Sequence, residues 1–241
     1  MLEKRTAAEL KHAAAVREMF SGIATKYDFL NHFLSVNIDK RWRKLVSQKL
    51  KDVLENKNAL VLDVACGTGD LSLELQKDAR AKVFGTDFCR PMLTIAFDKN
   101  AKNHTAIPYT EADGMNLSFA DASFDAVTIA FGLRNFSNWQ AGLRELHRVL
   151  KVGGKLVILE FSTPIVPGFR QAFQFYFSSI LPRIGGAVSG SRGAYEYLPD
   201  SVSKFPDQKN LARMMRETGF SDVEYKNLTG GVAAIHTGTK N

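Results

Sequence analysis

Between residues 59 and 162, short aliphatic and β-branched runs alternate with longer runs whose apolar positions recur every three or four residues. The short runs, 59–65 (ALVLDVA), 81–87 (AKVFGTD), 105–113 (TAIPYTEAD), 124–132 (FDAVTIAFG) and 154–162 (GKLVILEFS), predict strands. The longer ones, 71–79, 90–101 and 139–151, predict helices. Alternation of this kind builds βαβ units, with parallel strands and right-handed crossovers. Ligands then bind at the carboxyl ends of the strands. A further helix is expected over 207–220, then two strands at 222–229 and 231–238 joined across Gly230-Gly231, a hairpin turn. The expectation is an α/β fold: a mostly parallel seven-stranded sheet ending in an antiparallel hairpin, with helices on both faces.

Two segments fall outside the alternation. Residues 7–20 have helical spacing, and the chain then becomes rich in aromatics before the basic run KRWRK at 40–44. Residues 161–206 contain Pro164, Pro167, Pro182, Pro199 and Pro206 with several glycines and aromatics. They are too apolar for a disordered linker and read as an insertion or lid. The organisation expected is a single domain over 1–241, with an N-terminal helical segment at 1–50 and the lid at 161–206 over the substrate side.

Bulk properties narrow the class. Of 241 residues, 45% are hydrophobic and 24% charged, as in ordinary globular proteins. The net charge of +7 permits anionic lipid or nucleic acid without choosing between them. Cys66 and Cys89 form neither a disulfide framework nor a zinc pattern. His12, His32, His104, His147 and His236 lack mutual ligand spacing, so no metal is expected. The N-terminus lacks a signal-like apolar core, and no stretch has the apolar length of a membrane span. The expected location is cytoplasmic, soluble or peripheral at the inner face of the membrane.

The sharpest local signal is LVLDVACGTGD at 60–70. A phosphate-binding loop would need Lys followed by Ser or Thr, and there is none. The dinucleotide fingerprint has a third glycine where this chain has Ser72, which disfavours a nicotinamide cofactor. Asp63, Asp87 and Asp113 lie at the ends of three successive predicted strands, around one crevice. Each alone could cap or turn the chain. Together they suit a pyrophosphate poorly and a cationic adenosine derivative well, which points to S-adenosylmethionine. Asp87 is placed for the ribose hydroxyls, and in the loop of Gly67 and Gly69 the amides at the helix start after Gly69 are placed for a carboxylate.

The segments FSGIATKYDFLNHFLSVNIDKRW, VLDVACGTGD, GTDFCRPML, SFADASFDAVTIAFGLRNF, LRELHRVLKVGGKLVILEFS, YEYLPDSVSKFP, LARMMRETGF and LTGGVAAIHTGTK occur in this order. Over roughly residues 17–240 the chain resembles the ubiquinone/menaquinone biosynthesis methyltransferase family. The resemblance implies a class I, Rossmann-like methyltransferase fold with S-adenosylmethionine as cofactor. It implies C-methylation of a prenylated quinol. That means demethylmenaquinol to menaquinol, the final step of menaquinone biosynthesis. The alternative is 2-methoxy-6-polyprenyl-1,4-benzoquinol on the ubiquinone route, or another class I small-molecule reaction. Carried residue by residue, cofactor contacts fall on Thr68, Asp87, Asp113, Gly114 and Ala130, and substrate-side positions on Tyr27 and Asn31. Ala130 stands where some members have serine, so only its backbone can contribute. Asp113 stands where others have an amide, keeping an acceptor for the adenine amino group and losing a donor. KVGGK at 151–155 replaces a more usual Lys-Pro-Gly-Gly turn.

Carbon methylation needs a nucleophile in line with the S–CH3 bond, and a group that supports the quinol as its hydroxyl loses a proton. FGLRNF puts Arg134 and Asn135 at the crevice. Arg134 cannot itself be a base at neutral pH but could hold a phenolate. The alternative is a structural ion pair with Glu160. His236 reads either as a group titrating near neutrality or as a satisfied sheet-end histidine. Phe169, Ala172, Phe173, Tyr176, Phe177, Ile180 and Leu181 share one helical face, with Phe175 off it. The face suits either core or a prenyl chain. Lys40, Arg41, Arg43 and Lys44, with Trp42 as an interfacial ring, could meet an anionic membrane. No nucleic-acid module is recognisable, and a homodimer is compatible with everything above.

Overall fold

The computed structural model describes residues 5–35, 37–168, 170, 171, 173 and 192–241, with the side chains of 29–34 and 192–196 outside that description. Its strands are β1 (Leu60–Val64), β2 (Lys82–Asp87), β3 (Tyr109–Glu111), β4 (Phe124–Ala130), β5 (Leu150–Phe161), β6 (Phe220–Leu228) and β7 (Ala233–Lys240). They form one sheet in the order β3-β2-β1-β4-β5-β7-β6. The first five are mutually parallel, and β7 runs antiparallel to both β5 and β6. The expected parallel sheet with a terminal hairpin is therefore present. Its turn, Thr229–Gly231, carries positive φ at Gly230 (67°) and Gly231 (94°).

The helices are α1 (Ala7–Leu34), α2 (Ile38–Lys49), α3 (Lys51–Leu54), α4 (Asp70–Gln76), α5 (Arg90–Lys102), α6 (Trp139–Val149), α7 (Arg192–Lys204) and α8 (Gln208–Thr218). Successive residues of β1 face opposite sides of the sheet. Val61 joins a core with Val46, Leu75 and Ala96 from α2, α4 and α5. Leu62 joins the other core with Leu143, Leu146 and Met215 from α6 and α8. Central strands covered on both faces must be apolar throughout, which is why 59–65 and 154–162 read as continuous runs.

Three local expectations need revision. First, α1 does not stop at residue 20 but continues to Leu34, because Ile23 and Ala24 are buried and Ala24 packs with Cys89 and Met92 beside α5. Second, the glycines of KVGGK do not precede β5 but form a bulge inside it. Leu150 pairs with Phe124 and Lys155 with Ala126, and Gly153 takes φ 76°. Third, Trp42 is not interfacial. It is 5% exposed, packs near Phe131 and Phe161, and its indole N–H donates to Thr229 Oγ1 at 3.3 Å. Most of the aromatic stripe at 169–181 lies outside the described residues. So does the Asn31 side chain. Phe173, which is described, packs beside Ile23. Among the described residues, no helix is long and apolar enough to cross a membrane.

Candidate active site

Immediately past β1 and β4, Ala65 (φ 51°) and Phe131 (φ 57°) take left-handed conformations. Such conformations are unfavourable for side-chain-bearing residues and turn the chain sharply off the sheet. A cleft opens between these two strand ends. Gly67, Asp87, Asp113, Gly114, Ala130 and Asn135 line it, and α1 walls it with Ala13, Phe20 and Tyr27. An adjoining recess shares Tyr27, Gly67 and Ala130 and adds Asp63 and Thr68. Of the cofactor and catalytic candidates named from the sequence, Gly69, Arg134 and His236 line neither space.

The two loop glycines serve different ends. A Cβ at Gly67 would meet nothing nearer than the Tyr27 ring at 3.9 Å, so its φ of 56°, not crowding, calls for glycine. Its backbone is thereby left open to a ligand. Gly69, at φ 82°, begins α4, and a Cβ there would lie 2.5 Å from the Tyr109 hydroxyl. Gly69 is thus a packing residue. Gly114 is similar, since a Cβ would lie 2.3 Å from the Phe136 ring. Between the loop glycines, Thr68 Oγ1 donates to Asp28 at 2.5 Å and accepts from Lys99 Nζ at 3.0 Å. Lys99 also pairs with Asp28 at 2.6 Å and Asp70 at 2.5 Å. Arg43 pairs with Asp39 at 2.7 Å and Asp70 at 3.4 Å. The Thr68 hydroxyl is committed to this network, which fastens α1 and α5 to the glycine loop.

The three aspartates differ in electrostatic state. Asp63 is 1% exposed, and its oxygens accept from Ser72 Oγ at 2.6 Å and Thr128 Oγ1 at 3.0 Å. Burial pushes its pKa up to about 7 against those bonds. Ser72, which breaks the dinucleotide fingerprint, thus satisfies a buried carboxyl. Asp87 accepts from the Gly67 N–H and the Cys89 N–H, each at 2.8 Å, and burial pushes it up to about 6. A carboxylate has about four acceptor directions. Two are taken by backbone, and the rest suit a pair of ribose hydroxyls. Asp113 accepts from the Met115 N–H at 2.9 Å and pairs with Arg5 at 2.6 Å. Burial would raise it, but Arg5 and the N–H hold it below the usual carboxylate value. An open glycine backbone beside acceptor carboxylates fits the cationic, ribose-bearing S-adenosylmethionine.

Arg134 is placed differently from its expected role at a phenolate. Its side chain is 6% exposed and pairs with Glu160, itself 1% exposed, at 2.8 Å. The same guanidinium donates to the Phe131 carbonyl, and its Cζ lies 5.4 Å from the Phe161 ring centroid. Burial raises the Glu160 pKa, and Arg134 opposes the rise. The geometry matches the alternative reading, a structural ion pair under the turn. Asn135 does face the cleft. Its Nδ2 donates to the Phe131 carbonyl at 3.3 Å, and His12 Nε2 lies 3.2 Å from its carbonyl. His236 is buried, with Nε2 at 2.9 Å from the Gln208 carbonyl and its pKa pushed down to about 4 by burial. It is a buried sheet histidine held through Nε2 alone, its Nδ1 having no hydrogen-bond partner among the described residues. Asp28, Lys99 and Arg5 were not foreseen, because their partners are far away along the chain. Only Asp28 carried a signal, its place next to Tyr27.

Comparison with known proteins agrees with this geometry. Residues 7–240 match the model of the ubiE/COQ5 methyltransferase family. A relative from Deinococcus radiodurans, named demethylmenaquinone methyltransferase, is 46% identical over 94% of this chain and 92% of its own length. A relative from a Geobacter species, named ubiquinone/menaquinone biosynthesis C-methyltransferase, is 46% identical over 93% of this chain and 96% of its own. The solved structure of a SAM-dependent methyltransferase from Thermotoga maritima superposes with a TM-score of 0.64 at 17% identity, covering 93% of this chain and 99% of that one, a likeness of fold. The chain belongs to the ubiE/COQ5 methyltransferase family and is an S-adenosylmethionine-dependent methyltransferase.

Proposed function

We propose that the chain methylates a ring carbon of demethylmenaquinol to give menaquinol. One observation carries this reading: a single cleft holds the acceptors an adenosine needs, Asp87 and Asp113, together with the amide of Asn135 and the ring of Tyr27. The name of the Deinococcus relative supports the naphthoquinol substrate. The Geobacter relative's name covers both quinone routes, which keeps the methoxy-benzoquinol as the second reading.

S-adenosylmethionine supplies an electrophilic methyl group on a sulfonium. The protein's residues do the rest. Asp87 accepts from the ribose hydroxyls and Asp113 from the adenine amino group. Gly67 brings backbone close to the methionine portion, with Asp63 and Thr68 in the adjoining recess and Ala130 contributing backbone only. Tyr27 and Phe20 wall the cleft against water. A quinol hydroxyl loses its proton to solvent, and the ring carbon of the resulting phenolate forms the new C–C bond as the S–CH3 bond breaks. The ketone so formed restores aromaticity by losing its carbon-bound proton while its oxygen takes up a proton from solvent. The ring oxygen is most negative in the phenolate, and there Asn135 donates an amide N–H to it, favouring the ionised ring over the neutral quinol. Arg134 and Glu160 position that turn from beneath.

The substrate resides in a bilayer, and the reading has the chain reach it peripherally. Lys40, Arg41 and Lys44 are exposed on α2. Ile165 and Val166, 60% and 47% exposed, lie just beyond the carboxyl end of β5, on the cleft's side of the sheet. The test of the function is the quinone pool of cells with and without the gene. Accumulation of demethylmenaquinone on deletion, reversed by the intact gene, is expected. An unchanged pool would exclude the reading, and accumulated methoxy-benzoquinone alone would favour the second one.

A further inference from the structure

Among the described residues, the side chain that holds the Asn135 amide from outside the cleft comes from α7. Tyr197 Oη donates to Asn135 Oδ1 at 3.1 Å. Tyr197 belongs to the segment YEYLPDSVSKFP, for which the reaction as described so far has no use. We propose that Tyr197 is a positioning residue for methyl transfer, fixing the Asn135 amide so that it offers the cleft a donor. This rests on the reading that Asn135 supports a quinol oxygen.

The argument is one of hydrogen-bond direction. An asparagine amide has two donor hydrogens on Nδ2 and an acceptor at Oδ1, and its two flipped states differ only in which end faces which partner. The Phe131 carbonyl is an acceptor and takes one Nδ2 hydrogen at 3.3 Å. That bond is long, and the same carbonyl is shared with the Arg134 guanidinium. By itself it holds the amide loosely. The Tyr197 hydroxyl supplies the opposite anchor. It is part-buried, and burial raises its pKa, so it is a protonated donor at neutral pH. Oδ1 is thereby turned out of the cleft, and the second Nδ2 hydrogen is left for the substrate. With Oδ1 inward, a developing phenolate would face an acceptor and be repelled. The Asn135 main chain is held separately, with His12 Nε2 at its carbonyl. Loss of the Tyr197 hydroxyl therefore frees the amide to rotate without releasing the backbone. Preorganised donors lose effectiveness when they must reorient during the reaction.

Tyr197→Phe keeps the ring and its packing and deletes only the hydroxyl. The test measures kcat, the quinol KM, S-adenosylmethionine affinity and thermal midpoint for Tyr197→Phe, Asn135→Ala and the double variant. Tyr197→Phe is expected to lower kcat about five- to tenfold, the scale of one hydrogen bond. Cofactor affinity and KM should stay within about twofold. In the Asn135→Ala background, Tyr197→Phe should do nothing further, since there is no amide left to orient. A normal kcat in Tyr197→Phe alongside a crippled Asn135→Ala would overturn this inference and leave the reading of Asn135 standing. Equal, additive losses from Tyr197→Phe in both backgrounds would overturn it too, showing that the hydroxyl acts independently of the amide. If Asn135→Ala itself keeps full kcat, the reading of Asn135 fails first.

Discussion

Removing the Asp87 carboxylate perturbs the cofactor site where its geometry is best defined. Two of its acceptor directions are occupied by the Gly67 and Cys89 N–H groups, each at 2.8 Å. Two hydroxyl bonds to a charged acceptor would amount to ~3–6 kcal/mol if counted separately. In Asp87→Ala water fills the vacated position and satisfies the ribose hydroxyls in part, so the loss is ~1.4–2.8 kcal/mol, a 10- to 100-fold weaker Kd. Asp87→Asn should lose a comparable amount. Its NH2 would have to face one of the two backbone donors, opposing an N–H with another. Titration calorimetry with S-adenosylmethionine reads the affinity, and thermal melting of the same samples shows whether the glycine loop is intact. A folded Asp87→Ala protein that binds as tightly as the wild type would refute the assignment of Asp87 to the ribose.

Four further outcomes are expected. Ribose hydroxyls favour an ionised Asp87, whose empty-site pKa is about 6, so binding below that value must release a proton. Kd should rise about tenfold per pH unit below 6, and a flat profile from pH 5 to 7.5 would contradict the account. Burial puts Asp63 at about 7 and Asp87 at about 6, above the usual carboxylate range, so the folded state holds extra protons between about pH 4 and 7. These groups should make the cofactor-free enzyme less stable as pH rises through that window, as melting at fixed ionic strength would show. Arg134→Ala leaves Glu160 buried without its cation and should cost ~3–5 kcal/mol of stability. A variant melting like wild type would show that the pair is not structural. Binding to anionic vesicles should weaken with salt as the charges of Lys40, Arg41 and Lys44 are screened. Equal flotation with neutral vesicles would remove these residues from membrane contact.

Much of the fold was legible because its signal is local and periodic. Runs such as VLDVA and KLVILEF are apolar throughout since both faces of a central strand are covered, and α6 and α8 show the helical period because one face meets water. The ends of elements were harder to read. Nothing in FSGIATKYD marks whether the first helix stops, since its continuation depends on Ala24 packing beside α5 and on Ile23 packing against Leu198 and Val202 of α7. The glycines of KVGGK have turn chemistry, yet the neighbouring β4 accommodates them as a bulge. In the site, the aspartates ending β1 and β2 and following β3 were readable because the topology fixes where strand ends go. Arg134 was not readable in the same way. Sequence places it at the crevice, but whether a guanidinium points in or down depends on Glu160 and Phe161 across a neighbouring strand end. The links Arg5–Asp113, Asp28–Thr68 and Tyr197–Asn135 join residues 108, 40 and 62 positions apart. Only the folded chain shows them.

Carbon methylation of a naphthoquinol is tested with the purified enzyme, reduced demethylmenaquinone and S-adenosylmethionine carrying an isotopically labelled methyl group. The expected product is menaquinol with the label on the ring carbon, formed in stoichiometric balance with S-adenosylhomocysteine and slowed in Asp87→Ala at subsaturating S-adenosylmethionine. Label on a quinol oxygen, or no labelled quinone while the same preparation binds S-adenosylmethionine normally, would contradict it.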